Sequence, residues 1–378
     1  MKIFLVAGEP SGDKLGAALM DGLKSLTPVE FSGVGGPLMK AQGMESLFPM
    51  QELSIMGLAE VLPKYFHLKR RIRETAEAVL ASGAQALVTI DSPDFCLRVA
   101  AIVKKARPEF KTIHYVAPSV WAWRPKRADK MAKVIDHVLA LLPFEPPYMT
   151  AAGMSCDFVG HPVVAEPVAS AQDALAFRYA HGIPEKAPLL LVLPGSRRGE
   201  LAKLLPPFGE TVARLAEAFP DLQVILPTPS HLYDHVVEET LTWAIKPVVF
   251  SPDLTSRIAA FAAADAALAA SGTVSLELAA QNCPMVIGYD MAPLTMFLMK
   301  RMALIDTVNL VNLVSDTRDI REFLGKDCHA DNLAPAVAAL LKSGLGLQGE
   351  AMRLTMERLG RGGEAPGLRA ARSVLAQL

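Results

Sequence analysis

The chain has 378 residues, of which 51% are hydrophobic and 20% charged, enough apolar content for two α/β domains and too much for a disordered polypeptide. A formal net charge of −1 excludes a global attraction to nucleic acid, so no such partner is expected. The four cysteines, Cys96, Cys156, Cys283 and Cys328, lie far apart without C-x-x-C spacing, which excludes a zinc motif or a disulfide framework and suits buried thiols in a reducing compartment.

In chain order, the apolar run at 3–7 is too short for a secretory signal and reads as the first strand. Further strands are expected at 31–34, 86–90, 112–116 and 137–142, with helical periodicity at 14–26, 68–81 and 95–106 between them. The pattern lapses around Gly160-His161-Pro162, and 162–172 reads as a linker. A second series has strands at 189–193, 222–226, 247–250, 266–269 and 285–289, and helices at 201–218, 254–264 and 274–281. Such alternation predicts an α/β fold of two Rossmann-like domains facing a cleft. The longest apolar stretch, 258–270, is Ala-rich, interrupted by Asp265, and falls short of the ~20 residues of a membrane span.

The first strand-to-helix turn is Gly8-Glu9-Pro10-Ser11-Gly12-Asp13. It lets backbone approach a ligand, yet it is not G-x-G-x-x-G; alone it reads as a tight turn with Asp13 complementing the helix dipole. Asp91 and Asp94 follow the strand at 86–90, at the carboxyl edge where open α/β sheets place ligands. Either carboxylate suits a general base, and either also suits a turn or a cap for a helix starting near Phe95. We assign the chemistry to Asp91 and the cap to Asp94, which remains the alternative base.

The stretch from His114 to Arg124 holds Trp121 and Trp123, and Lys126, Arg127 and Lys130 follow. Aromatic faces with cations at a strand end suit a sugar or an anion; a Trp core plug beside a solvated basic helix fits the same residues. Pro194-Gly195-Ser196-Arg197 opens the second domain's first strand-to-helix turn and suits a pyrophosphate, since an exposed turn gains no packing from Arg197. Ala270-Ser271-Gly272-Thr273 opens another, with Glu277 placed to accept from ribose hydroxyls. Ser271 or Thr273 as a plain N-cap competes, but the pairing of two such turns in one domain favours a nucleotide. The segments 56–73 and 291–302 are apolar and then basic, a composition suited to acyl chains or an anionic membrane surface; an ordinary core helix with a solvated cationic end explains either alone, and the two together favour lipid.

These motifs, together with Ile90–Phe95 read as Ile-Asp-Ser-Pro-Asp-Phe, Leu142-Pro143-Phe144-Glu145, Gly160-His161-Pro162 and the stretch 283–289, resemble the lipid-A-disaccharide synthases in order along most of the chain. The resemblance implies a GT-B fold: an N-terminal acceptor domain at 1–165, a UDP-sugar domain at 166–345 and a helical tail at 346–378. It implies an inverting transfer from UDP-2,3-diacylglucosamine to 2,3-diacylglucosamine 1-phosphate (lipid X), with no metal or other cofactor. Carried over by motif, Asp91 is the base, Glu9, Ser11 and Asp94 line the acceptor side, and Arg197 meets the diphosphate. Ser271, Gly272, Thr273, Glu277 and Asn312 complete the UDP site. Tyr65, Phe66, Leu68, Lys69, Arg70, Met296 and Phe297 would contact acyl chains or membrane. That places the enzyme in the cytoplasm, peripheral on the inner face of the inner membrane, and is compatible with a homodimer.

One stretch departs from the family pattern. A Pro ordinarily precedes the Asn matching Asn312, followed by Gly-Arg-Glu and later a Gln; here Val311 precedes it and Gly325 stands in place of that Gln, so a basic contact would fall to Arg318. Two alternatives remain at this point: a related GT-B enzyme, such as an epimerase or polyprenol-linked sugar transferase, and a non-catalytic nucleotide-sugar or lipid-binding homologue.

Overall fold

The computed structural model describes residues 1–53, 58–291 and 301–378. These divide into two compact units: Met1–Ala165 with Leu359–Leu378, and Glu166–Arg358. Unit 1 contains β1 (Lys2–Ala7), β2 (Glu30–Val34), β3 (Ala86–Ile90), β4 (Lys111–Tyr115), β5 (His137–Ala140) and β6 (Ser155–Phe158), in the order β2-β1-β3-β4-β5-β6. Unit 2 contains β7 (Leu189–Leu193), β8 (Gln223–Pro227), β9 (Val248–Phe250), β10 (Ala266–Ala270), β11 (Met285–Tyr289) and β12 (Arg321–Leu324), in the order β12-β11-β10-β7-β8-β9. The pairings are parallel, for example Ala7↔Ile90 between β1 and β3 and Ala269↔Leu193 between β10 and β7. Central strands such as β3 and β10 are buried along their length, which is why they read as near-continuous apolar runs, broken in β3 only by Thr89.

Both sheets reverse direction once. In unit 1 the chain steps from β1 outward to β2 and then returns to place β3 on the other side of β1. In unit 2 it runs β7, β8, β9 and then places β10 on the other side of β7. The loops leaving the carboxyl ends of the two strands at such a reversal diverge and open a crevice.

The segment 346–378 does not form a separate tail. Its helix Gly346–Arg358 packs in unit 2 against Val274–Ala280 and Leu310–Ser315, and Gln348 clips β11 by accepting from Met285 N at 2.8 Å and donating to Met285 O at 2.9 Å. Gly360 and Gly362, at φ +105° and +82°, then turn the chain back to unit 1. There the helix Pro366–Leu375 packs on the first helix, Pro10–Leu26. Ser373 donates its hydroxyl proton to Asp157 at 2.6 Å and accepts from Nε2–H of buried His137 at 2.8 Å, tying this helix to β5 and β6.

The two helices meet through glycines. A Cβ on Gly22 would lie 2.6 Å from the Gly367 carbonyl oxygen, and one on Gly367 would lie 2.6 Å from that of Ala18. The obstruction is backbone on both sides, so no rotamer change relieves it. Gly22→Val is therefore expected to destabilise the protein by about 1–3 kcal/mol through overpacking, read as a lower midpoint in urea unfolding; an unchanged midpoint would show that the helices can part without cost.

Candidate active site

The reversal in unit 1 gathers the first group of residues. Past the end of β3, Asp91 N donates to Tyr115 O at 3.0 Å, so pairing with β4 outlasts the strand by one residue. Asp91 and Ser92 then take φ of +51° and +44°, and Val116, which follows β4, takes +84°. Non-glycine residues rarely hold such angles, and each costs about 1–3 kcal/mol, a strain that concentrates at functional loops. These bends border a cavity of about 200 Å³ lined by Asp91, His114, Val116, Ser119, Arg127 and Met131 among others. Gly8 allows the close approach of the first turn: a Cβ there would lie 2.5 Å from Ser92 Oγ.

His114 is 2% exposed. Thr89 Oγ1 lies 3.2 Å from Ile113 O, to which it donates, and 2.7 Å from His114 Nδ1. With the hydroxyl proton spent on the carbonyl, Nδ1–H donates to Thr89 and Nε2 is left as an acceptor. Burial lowers the His114 pKa to about 4, so the ring is neutral near pH 7. The histidine thus combines a hydrogen-bonded core position with a place in the cavity wall.

Glu9 is the N-cap residue of the first helix and Ser11 is exposed on its first turn. Asp13 has a different task from the dipole charge expected of it: 2% exposed, it accepts from the N–H groups of Gly36, Leu38 and Met39 at 2.9–3.0 Å and so caps the helix Pro37–Ala41. The helix after β3 begins at Pro93, two residues earlier than expected, because a proline suits its first turn. Asp94 consequently falls inside the exposed first turn, and no side-chain cap hydrogen bond is made there.

The two tryptophans separate by role. Trp121 is buried, donates from Nε1 to Glu145 at 3.2 Å and meets Phe144 edge-on at 5.1 Å. Trp123 is half-buried with the Arg124 guanidinium 4.2 Å above its ring.

In unit 2, a cavity of about 640 Å³ opens at the reversal between β7 and β10. Its wall includes Arg197, Ser271, Gly272, Thr273 and Glu277, five of the six residues assigned to nucleotide binding. Arg197 is the exposed N-cap residue of Arg198–Ala218. Gly195 stands at φ +108°, where a Cβ would lie 2.5 Å from Glu200 Oε2, and that oxygen accepts from Ser196 N at 2.9 Å. Glu200 therefore shapes the turn from within. Arg257, which the sequence reading passed over, pairs with Glu277 at 3.2 Å and lines the same cavity. The only local signal was a lone cation one turn into a helix that opens at the carboxyl end of a strand.

Asn312 is not in that wall. It is 1% exposed, and its amide donates to Thr307 and Ile320 O while accepting from Ile320 N, which leaves little for a nucleotide. Its work is to hold 307–320 together. Arg318 pairs with Asp306 and likewise lies outside the cavity wall.

Tyr65 is exposed, Phe66 is 82% exposed, and Lys69 and Arg70 are exposed beside them. Leu68 packs against the core of unit 1, because it falls on the helix face shared with Ile72 and Ala76. Arg71 is held by Glu52 and Glu74 at 2.8 Å. Met296 and Phe297 lie outside the described residues. No described helix is long and apolar enough to cross a membrane.

A protein-family model described as lipid-A-disaccharide synthetase matches residues 3–362. The lipid-A-disaccharide synthase of Ruegeria pomeroyi is 59% identical, with all of this chain and 96% of the relative covered. That of Rhodospirillum centenum is 49% identical, covering 99% of this chain and 94% of the relative. The chain belongs to the lipid-A-disaccharide synthase family. Among solved structures, a UDP-GlcNAc 2-epimerase from Neisseria meningitidis bound to UDP-GlcNAc matches with a TM-score of 0.66 at 11% identity, covering 100% of this chain and 99% of that one. That likeness is one of fold. The lipid-A-disaccharide synthases are glycosyltransferases, and the two Rossmann-like units are those of the GT-B class.

In this family member Glu145 is the buried anchor of the Trp121 loop. It accepts from Leu141 N and Leu142 N as well as from Trp121, yet burial outweighs these bonds and pushes its pKa up to about 7. A carboxyl whose folded pKa exceeds the unfolded value of 4.5 contributes stability below 4.5 that is lost as pH rises through 7. The unfolding free energy of wild type minus that of Glu145→Gln is therefore expected to fall by roughly 3 kcal/mol between pH 4.5 and above 7, measured by urea titration at each pH. A difference independent of pH would mean that the carboxyl ionises in the folded protein as it does in the unfolded chain.

Proposed function

We propose that this chain transfers the diacylglucosaminyl group of UDP-2,3-diacylglucosamine to the 6-hydroxyl of 2,3-diacylglucosamine 1-phosphate, giving the β-1′,6-linked disaccharide 1-phosphate and UDP. The observation that carries the reading is the unit 2 cavity with Arg197 and Glu277 in its wall, in a chain 59% identical to a lipid-A-disaccharide synthase. In this reading the acceptor O6 attacks the anomeric carbon from the face opposite UDP. The O6–carbon bond forms as the carbon–oxygen bond to the diphosphate breaks, which inverts the centre. Asp91 takes the O6 proton, a role supported by its half-buried place in the unit 1 cavity. Arg197 and the N–H groups of the turn around Gly272 stabilise the charge left on UDP. Arg257 holds the Glu277 carboxylate toward the ribose. These cationic and dipolar groups do the work a divalent ion does elsewhere, so the reaction proceeds without a metal.

The test is product analysis with both substrates, in buffer containing a chelator. Wild type should form disaccharide and UDP at an undiminished rate. Asp91→Asn should keep its UDP affinity by calorimetry but lose about 10²–10⁴-fold in turnover, while Arg197→Ala should lose UDP affinity. If Asp94→Asn is the inactive variant and Asp91→Asn turns over normally, the base has been misassigned.

Both substrates carry acyl chains, so the same reading has the enzyme working at a membrane surface, with Phe66 and Tyr65 entering the interface and Lys69 and Arg70 facing anionic headgroups. Their exposure side by side on one helix supports this. The triple variant Phe66→Ser, Lys69→Glu, Arg70→Glu should bind UDP normally, float free of anionic vesicles that capture wild type, and regain activity when detergent disperses the substrates. Binding of wild type should weaken with salt. Vesicle capture equal to wild type would assign these side chains to the ordinary exposed face of a helix.

A further inference from the structure

Arg127 lines the unit 1 cavity from the helix Lys126–Met131. The other cations of this segment are differently disposed: Arg124 lies over the Trp123 ring, and Lys126 and Lys130 are exposed. Arg127 is half-buried, and its guanidinium has no ion pair or side-chain hydrogen bond among the described residues. A guanidinium carries five donors in a fixed fork, and withdrawing it from water without an acceptor is costly. Such a group is set to receive an anion.

The cavity supplies the anion's context. Asp91 lines it too and makes no ion pair with Arg127. His114 is neutral near pH 7, so Arg127 is the charged donor in this wall. The same wall includes Val116, Leu97 and Met131, apolar surfaces that suit the face of a pyranose ring. A volume of about 200 Å³ takes a headgroup and leaves acyl chains outside. A ligand that satisfies both groups offers a hydroxyl to the carboxylate and a phosphate to the guanidinium.

We propose that Arg127 binds the phosphate of the acceptor sugar whose hydroxyl is presented to Asp91, and that it makes the enzyme select phosphorylated over unphosphorylated acceptors. The inference rests on the glycosyl-transfer reading above and adds to it a residue that determines acceptor specificity. Bidentate guanidinium–phosphate contacts are charge-assisted and directional, so the fork and not only the charge matters.

The experiment compares two acceptors, 2,3-diacylglucosamine 1-phosphate and 2,3-diacylglucosamine without the phosphate, dispersed in detergent with UDP-2,3-diacylglucosamine as donor. Wild type should prefer the phosphorylated acceptor in kcat/KM. Arg127→Ala should lose about 10- to 100-fold on that acceptor, as expected for a lost hydrogen bond to a charged group, chiefly through KM, and the gap from wild type should close on the unphosphorylated one. Arg127→Lys should recover part of the preference. UDP affinity and the unfolding midpoint, measured on the same preparations, should match wild type. Equal losses on both acceptors would make Arg127 a structural residue and overturn the proposal, as would no loss on either. Failure of the underlying reading looks different: wild type then forms disaccharide from neither acceptor.

Discussion

A parallel sheet has one carboxyl edge, and the groups that this protein offers for chemistry leave from that edge. Asp91 follows β3, His114 lies at the end of β4, Arg197 follows β7 and Ser271 follows β10. The constraint is geometric before it is chemical. Where strand order reverses, two neighbouring loops must diverge, and a crevice results whether or not anything binds in it. The two cavities described above border the strands at or next to such a reversal. Chemistry has then been added to an opening that topology makes unavoidable.

Much of this was legible in the sequence, because central parallel strands are buried on both faces and appear as aliphatic runs. The expected strand at 86–90 and those at 189–193 and 285–289 have the observed bounds. β6 and β12 went unseen, and both are edge strands. Ser-Cys-Asp-Phe alternates exposed and half-buried positions, Arg-Glu-Phe-Leu opens on two charged residues, and each carries too few apolar residues to register. The turn residues of the candidate site were found for a related reason: Gly195 and Gly272 adopt backbone that other residues rarely hold, and such glycines stand out after an apolar run. Arg257 was passed over and Arg127 was named only within a group of cations after the tryptophans, since a cation on a helix looks the same in sequence whether it faces water or a cavity. Asn312 illustrates the converse. A motif match names a residue without saying where its amide points, and here the amide points into the protein.

Several charged side chains serve backbone instead of substrate. Asp13 collects three N–H groups at the start of a helix, and Glu145 collects two more beside Trp121. Arg178 donates to Ala263 O and Ala187 O and pairs with Asp265, closing the loop that leads into β7. Each stands near a loop whose backbone groups have no sheet partner, where an unmet polar group would be expensive. They hold the loops' stems steady while the exposed parts remain available to a ligand.

Unit 2 is inserted between residues 165 and 359 of unit 1, because the last twenty or so residues return to the first helix. On the ribosome this has a consequence for order of assembly. Unit 2 is complete in the nascent chain as soon as Arg358 has emerged, whereas unit 1, though begun first, lacks the helix Pro366–Leu375 and leaves its glycine seam and the buried His137 uncovered until that helix has followed. The domain that starts first is the last of the two to be sealed.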